Sequence, residues 1–86
     1  MPRISSFYGI VIAMYYREHG VPHFHALYEE YEASISIESL DLIVGDLPPG
    51  AMRLVKQWAS LHQGELLRNW NLAEEGEALK SIDPLP

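Results

Sequence analysis

Apolar and polar residues alternate along the first half of the chain, whereas apolar residues recur with helical spacing along the second half. Ala33, Ile35 and Ile37 are separated by serines, which is the period of two of a β-strand with one buried face. Similar apolar runs, punctuated by glycine, proline and acidic residues, predict four strands, at residues 10–16, 24–29, 32–37 and 41–45. The first strand is apolar on both faces, so we expect it inside the sheet.

The second half carries an apolar stripe with the spacing of an α-helix. It comprises Ala51, Leu54, Val55, Trp58, Leu61, His62, Leu66, Trp70 and Ala73. Gly64 interrupts the stripe, so it predicts one long helix or two consecutive helices. The predicted fold is α+β: a small antiparallel β-meander of three to four strands, followed by one long or two consecutive C-terminal helices packed on one face.

Residues 24–29 and 32–37 are the arms of a predicted hairpin. With a turn at Glu30 and Tyr31, the apolar positions pair as Phe24 with Ile37, Ala26 with Ile35 and Tyr28 with Ala33. On the opposite face, the same register places His25 across from Ser36 and His23 across from Glu38.

Composition and charge narrow the class of protein. A chain of 86 residues with 48% apolar residues fits a single folded domain, which we assign to residues 1–76, with residues 77–86 as an extended or mobile tail. The net charge of −6 disfavours binding to nucleic acid. The absence of cysteine excludes disulfides and thiolate metal sites. There is neither a signal-peptide pattern nor a long apolar segment, so we expect a cytoplasmic protein without a membrane partner.

Three of the four histidines lie in residues 18–25, which read Glu-His-Gly-Val-Pro-His-Phe-His. On a strand, His23 and His25 project from one face, and His19 lies on the incoming connection. Neutral imidazoles bind Zn²⁺ or Ni²⁺, and Glu18, Glu38 or His62 could complete such a site. The candidate metal ligands are therefore His19, His23, His25 and His62. The alternative is a purely structural, hydrogen-bonding role for these side chains.

The same histidines could also serve catalysis. His23 and His25 on one face could act as general base and general acid in phosphodiester cleavage, with Arg17 as the cation that stabilises the transition state. His62 and Glu65 are three residues apart on a helix, where they could join the site or simply interact with each other and with the helix end.

The chain closely resembles the small bacterial proteins grouped as domain of unknown function 4160. The matching stretches are the N-terminal Met-Pro-Arg-Ile-Ser-Ser-Phe-Tyr-Gly, residues 18–19, residues 22–26, residues 31–33, Trp58-Ala59 and Asn69-Trp70. The family usually has a second proline at the position of Val21 and a glycine near Glu29 or Glu30, and this chain departs from the pattern at both. The family signature falls on His19, Pro22, His23 and His25.

The resemblance implies a partner protein, because genes of this family often lie beside one for a small protein of domain of unknown function 2442. The pair is similar to a toxin–antitoxin or other two-gene module. Three hypotheses follow: a protein-binding component of such a module, a histidine-dependent nuclease of the toxin kind, and a transition-metal-binding protein. A homodimer is also expected, because the strand at residues 41–45 would otherwise leave an uncovered sheet edge.

Overall fold

An antiparallel sheet of five strands followed by two helices makes up the protein, and a computed structural model describes residues 2–86. The strands are β1 (Arg3–Phe7), β2 (Ile10–Ala13), β3 (His23–Tyr28), β4 (Tyr31–Ser36) and β5 (Leu42–Gly45). The helices are α1 (Pro49–Leu61) and α2 (Gln63–Glu74). Neighbouring strands in the chain are neighbours in the sheet, in the order β1-β2-β3-β4-β5. The predicted α+β meander with two consecutive helices is confirmed, with one strand more than expected.

The additional strand is β1, and an irregularity hides it from the sequence pattern. Its two buried apolar residues, Ile4 and Phe7, are three positions apart, whereas a regular strand turns the same face only every second residue. The pairing of β1 with β2 shifts register between Arg3 and Ser5, as a β-bulge does. The bulge allows both apolar side chains to reach the core.

The hairpin of β3 and β4 has a different register from the predicted one. Phe24 pairs with Ile35, and His25 pairs with Ser34. The turn residues are Glu29 and Glu30, because Tyr28 pairs with Tyr31. The predicted register was therefore wrong by two residues of β4. A shift of two preserves the face of every side chain, so Phe24 still points into the core and His25 still points away from it.

Glu29 adopts a positive φ of 54°, a conformation that favours glycine. This is the turn at which the chain lacks the glycine that its resemblance leads one to expect. We predict that Glu29→Gly raises the free energy of unfolding by about 0.5–1 kcal/mol, because it removes the strain of a left-handed residue. Urea denaturation followed by circular dichroism would measure the change. Glu30→Gly is the matched control, since Glu30 has no positive φ, and it should destabilise the protein or leave it unchanged.

The helices cover one face of the sheet. The core between the two layers contains Ile10, Ile12, Phe24, Ile35, Val55, Trp58 and Leu66, each fully buried. The break between the helices falls at His62, whose φ of −132° is not helical, and not at Gly64, which lies in the first turn of α2. None of the helices in the described part of the chain is long and apolar enough to span a bilayer.

Residues 77–86 have no helix or strand, and they are held against the domain. The Asn69 side chain bonds the backbone N–H and C=O of Lys80, at 2.9 and 2.8 Å. Trp58 Nε1 donates to the carbonyl of Asp83 at 2.8 Å. Ile82 and Leu85 are buried among the core residues. The boundary drawn at residue 76 therefore does not separate this segment from the hydrophobic core.

Candidate functional site

The connection between β2 and β3 brings Glu18 over the face of the sheet that carries His23 and His25, opposite to the face of Phe24 and Ile35. Arg17 adopts a positive φ of 56°, and its N–H donates to the carbonyl of Ala73 in α2 at 3.3 Å. After Gly20, with φ of 96°, the chain enters β3 beside β4, where the N–H of Ile37 bonds the carbonyl of Pro22. These bonds fix the connection at both ends and leave Glu18 facing β3.

Glu18 lies against both strand histidines. Its Oε1 is 2.7 Å from His25 Nε2 and 3.2 Å from His23 Nε2. The three donor atoms all lie within 4.8 Å of one another. His23 and His25 are buried side chains, and Glu18 is half-buried. Three metal-ligating groups therefore converge on one point at the edge of the solvent.

The second ring nitrogen of His23 fixes its tautomer. His23 Nδ1 is 2.7 Å from the carbonyl oxygen of Val21, and a carbonyl can only accept, so Nδ1 carries a hydrogen. In the neutral ring, Nε2 then presents its lone pair to the Glu18 carboxylate. Two acceptors that face each other at 3.2 Å need a proton or a cation between them. The backbone of the incoming loop thereby directs His23 Nε2 at Glu18, with room for a proton or a cation between them.

The second ring nitrogen of His25 also has partners. His25 Nδ1 is 3.3 Å from Ser34 Oγ and 3.5 Å from Glu32 Oε2, both on the neighbouring strand β4. When Nε2 donates to Glu18, Nδ1 accepts from the Ser34 hydroxyl. When Nε2 instead binds a cation, Nδ1 carries the hydrogen and can donate to Ser34 or Glu32. Such outer partners are what orient a metal-bound imidazole.

Aromatic rings pack against both histidines. Tyr15 meets His25 edge-on with ring centroids 4.4 Å apart, and Trp70 lies 5.1 Å from His23. Burial raises the pKa of the Tyr15 phenol, and the nearby carboxylates of Glu32 and Glu18 raise it further. Tyr15 therefore remains a neutral hydroxyl at physiological pH. Each of the two imidazoles is therefore packed against an aromatic ring.

An open cavity of about 470 Å³ leads from solvent to the histidines. The incoming loop forms one wall with His19 and Val21, and β5 forms the other with Ile43 and Val44. Glu18, His23 and His25 line its floor together with Glu32 and Ser34. A group held by the three ligands would thus be accessible to a small molecule from the cavity.

The structure unites some of the predicted site residues and separates others. His23 and His25 share one face of a strand, as predicted, and His19 lines the cavity without joining the group of three. His62 lies at the junction of the helices, where Nδ1 is 2.6 Å from Glu65 Oε1 and the ring packs on Trp58.

Arg17, the candidate catalytic cation, points elsewhere. A Cβ atom on Gly76 would approach its guanidinium to 2.7 Å, so this group lies against the C-terminal end of α2. Arg17 is not among the residues that line the histidine cavity.

The sequence pattern does not reveal three residues that contribute to the site: Tyr15, Glu32 and Ser34. With the turn placed at residues 29–30, Ser34 pairs with His25. Glu32 pairs with Leu27, which lies on the same face of β3 as His25. The correct register of the hairpin would therefore have predicted Glu32 and Ser34 beside His25. Tyr15 follows β2 with the strand parity of Ala13, which pairs with His25.

Comparison with known proteins identifies the family and nothing closer. No curated protein and no solved structure matches the chain. A family model, described only as a domain of unknown function, matches residues 9–71. The match includes every residue of the histidine and glutamate cluster, together with β2 to β5 and most of the helical layer. The chain belongs to the family of the domain of unknown function DUF4160.

Proposed function

We propose that this protein binds one divalent transition metal ion, Zn²⁺ or Ni²⁺, through His23 Nε2, His25 Nε2 and a Glu18 carboxylate oxygen. The observation that carries the proposal is the hydrogen bond from His23 Nδ1 to the carbonyl of Val21. In the neutral ring this bond leaves the Nε2 lone pair directed at a carboxylate that cannot donate to it. A metal ion between the two groups would satisfy both.

The distances support a site of this kind. Zinc binds imidazole nitrogen and carboxylate oxygen at about 2.0–2.2 Å, so tetrahedral ligand atoms lie roughly 3.3 Å apart. The Glu18 oxygen is 3.2 Å from His23 Nε2 and 2.7 Å from His25 Nε2. Glu18 would need to move from His25 by about half an ångström, which a partly exposed side chain on a loop can do. The fourth position would then face the cavity.

Elemental analysis and calorimetric titration of protein without a histidine tag test the proposal. We expect about one equivalent of Zn²⁺ or Ni²⁺ per chain, in keeping with a three-ligand site. The double variant His23→Ala with His25→Ala should lose the metal. His62→Ala, a matched loss of one imidazole, should keep it because His62 bonds Glu65 instead. Uptake below about a tenth of an equivalent would contradict the proposal, as would uptake that survives the double variant.

A histidine-dependent nuclease receives less support from the same residues. Cleavage of a phosphodiester needs a cation for the charge that develops in the transition state. The Arg17 guanidinium lies beside Gly76, and Glu18 and Glu32 line the cavity. Acidic walls repel a phosphate group. A metal ion would be attracted by these carboxylates, whereas a nuclease without a metal would have to bind a phosphate against their electrostatic repulsion.

A role as the protein-binding component of a toxin–antitoxin-like two-gene module is a second proposal. Its support is the exposed apolar surface of β5, at the edge of the sheet. Co-purification with the product of the neighbouring gene tests this role. A monodisperse monomer that does not bind that product would contradict the proposed protein-binding role. A homodimer is the other way to cover the same edge, and light scattering after size-exclusion chromatography would detect it.

A further inference from the structure

β5 forms an edge of the sheet, and within residues 2–86 no strand pairs with the edge that faces away from β4. It pairs only with β4, and all four of its residues are exposed. The opposite edge strand, β1, is different, because Ile82 of the C-terminal segment donates its N–H to the carbonyl of Ile4. The unpaired backbone groups of an edge strand are a template for pairing with another chain. β5 presents such a template within residues 2–86.

The side chains of β5 are apolar as well as exposed. Leu42, Ile43 and Val44 are 42%, 48% and 63% exposed. Across the cavity, Val21 is 57% exposed, and it lines the same space as Ile43 and Val44. Leu42 pairs with the core residue Ile35 and lies on the other face from Val44, which pairs with Ser34. We call Val21, Ile43 and Val44, the contiguous part of this surface, the β5 surface. Contiguous exposed apolar side chains on a small protein mark a site of interaction.

The chain segment that contains the β5 surface has acidic residues and no lysine or arginine. From residue 18 to residue 52 the sequence contains no lysine or arginine and seven acidic residues: Glu18, Glu29, Glu30, Glu32, Glu38, Asp41 and Asp46. Asp41 and Asp46 flank β5 directly, and both are exposed. A partner that covers this edge must therefore tolerate or complement negative charge.

The charge distribution distinguishes between two occupants. If two copies paired through β5 in antiparallel orientation, Asp41 of one copy would lie towards Asp46 of the other. Like charges that face each other across strands are destabilising. A basic strand would instead place its cations beside these carboxylates. The acidic rim thus favours a different, basic chain over a second copy of this one.

We propose that β5 receives an extended, basic segment of a partner protein as a sixth strand. Backbone hydrogen bonds to the free edge supply affinity, and alternate side chains supply specificity. The segment alternates apolar residues, which pack on Ile43 and Val44, with lysine or arginine, which meets Asp41 and Asp46. This inference rests on the protein-binding role proposed above and does not depend on whether the histidine site holds a metal.

Nuclear magnetic resonance titration with defined peptides tests the proposal. One probe is an end-capped peptide of about seven residues that alternates lysine with valine, and its control has glutamate in place of lysine. All titrations contain EDTA, which removes metal binding from the readout. We expect the lysine peptide to shift the amide signals of Leu42–Gly45 and to slow their hydrogen exchange. Affinity for the glutamate peptide should be at least about tenfold weaker.

Matched substitutions identify the binding surface. Val44→Lys should weaken binding of the lysine peptide at least about tenfold, since it removes an apolar contact and adds a like charge. Leu61→Lys makes the same change at an exposed residue of α1 and should leave the affinity unchanged. Circular dichroism checks that both variants fold.

Four results would overturn the proposal. They are no amide shifts at up to about 1 mM lysine peptide, equal affinity for the glutamate peptide, equal loss in both variants, and protection of β5 amides by self-association without peptide. The last result would identify a second copy as the occupant.

Discussion

Saturating Zn²⁺ or Ni²⁺ is expected to raise the melting temperature of this protein by roughly 10–20 °C. A ligand that binds only the folded state stabilises it by about 2.7 kcal/mol when its free concentration is a hundred times its dissociation constant. In a domain of this size, each kcal/mol shifts the midpoint by about 4–8 °C. The effect is large because the ligands come from a loop and a strand that only folding brings together: Glu18 on the loop, and His23 and His25 on β3. Differential scanning calorimetry with and without EDTA would measure the shift.

Substitutions of single ligands separate this effect from nonspecific binding. His23→Ala should abolish most of the metal-dependent shift, and Glu18→Gln should reduce it, because a neutral amide is a poorer ligand than a carboxylate. His62→Ala removes an imidazole outside the cluster and should retain the full shift. Equal shifts in His23→Ala and in the unmodified protein would show that any bound metal is held elsewhere.

The alternating pattern of a strand predicts which face of the sheet each site residue lies on. It does not predict which residue of the next strand lies opposite. His23 and His25 share a face because the side-chain period of a strand is two, and this holds whatever the register. Their cross-strand partners depend on the turn. Glu29 forms the turn with a positive φ although it is not glycine, so the local sequence gives no signal of its position. The register was consequently misplaced by two residues.

Glu18 shows why the rest of the site could not be read from the sequence. Its position depends on a long-range bond, from the N–H of Arg17 to the carbonyl of Ala73 at the end of α2. No periodicity along the chain encodes a contact between residues so far apart. His62 shows the converse. Its spacing from Glu65 left two alternatives, a ligand of the site or a local partner of Glu65, and the structure places it with Glu65 and Trp58.

Trp58→Ala is expected to lower the free energy of unfolding by about 3–5 kcal/mol, the range for removal of a fully buried large aromatic side chain. Trp58 has no exposed surface, and its ring packs against Phe7 and Phe24 with centroids 5.3 and 6.0 Å away. Small domains are stable by only about 5–15 kcal/mol in total, so the variant loses a large part of this stability. Urea denaturation monitored by circular dichroism would measure the loss.

Two further variants show how much of the stability lost in Trp58→Ala comes from core packing and how much from the bond to the C-terminal segment. Trp58→Phe keeps an aromatic ring in the core but removes the donor to the carbonyl of Asp83, so it should cost about 1–3 kcal/mol and increase hydrogen exchange in residues 80–85. Leu61→Ala, on the same helix but 65% exposed, should change stability by less than about 0.5 kcal/mol. If Trp58→Ala cost no more than Leu61→Ala, the helices would not be packed on the sheet through Trp58. If Trp58→Phe left exchange in residues 80–85 unchanged, the Asp83 bond would not hold that segment in place.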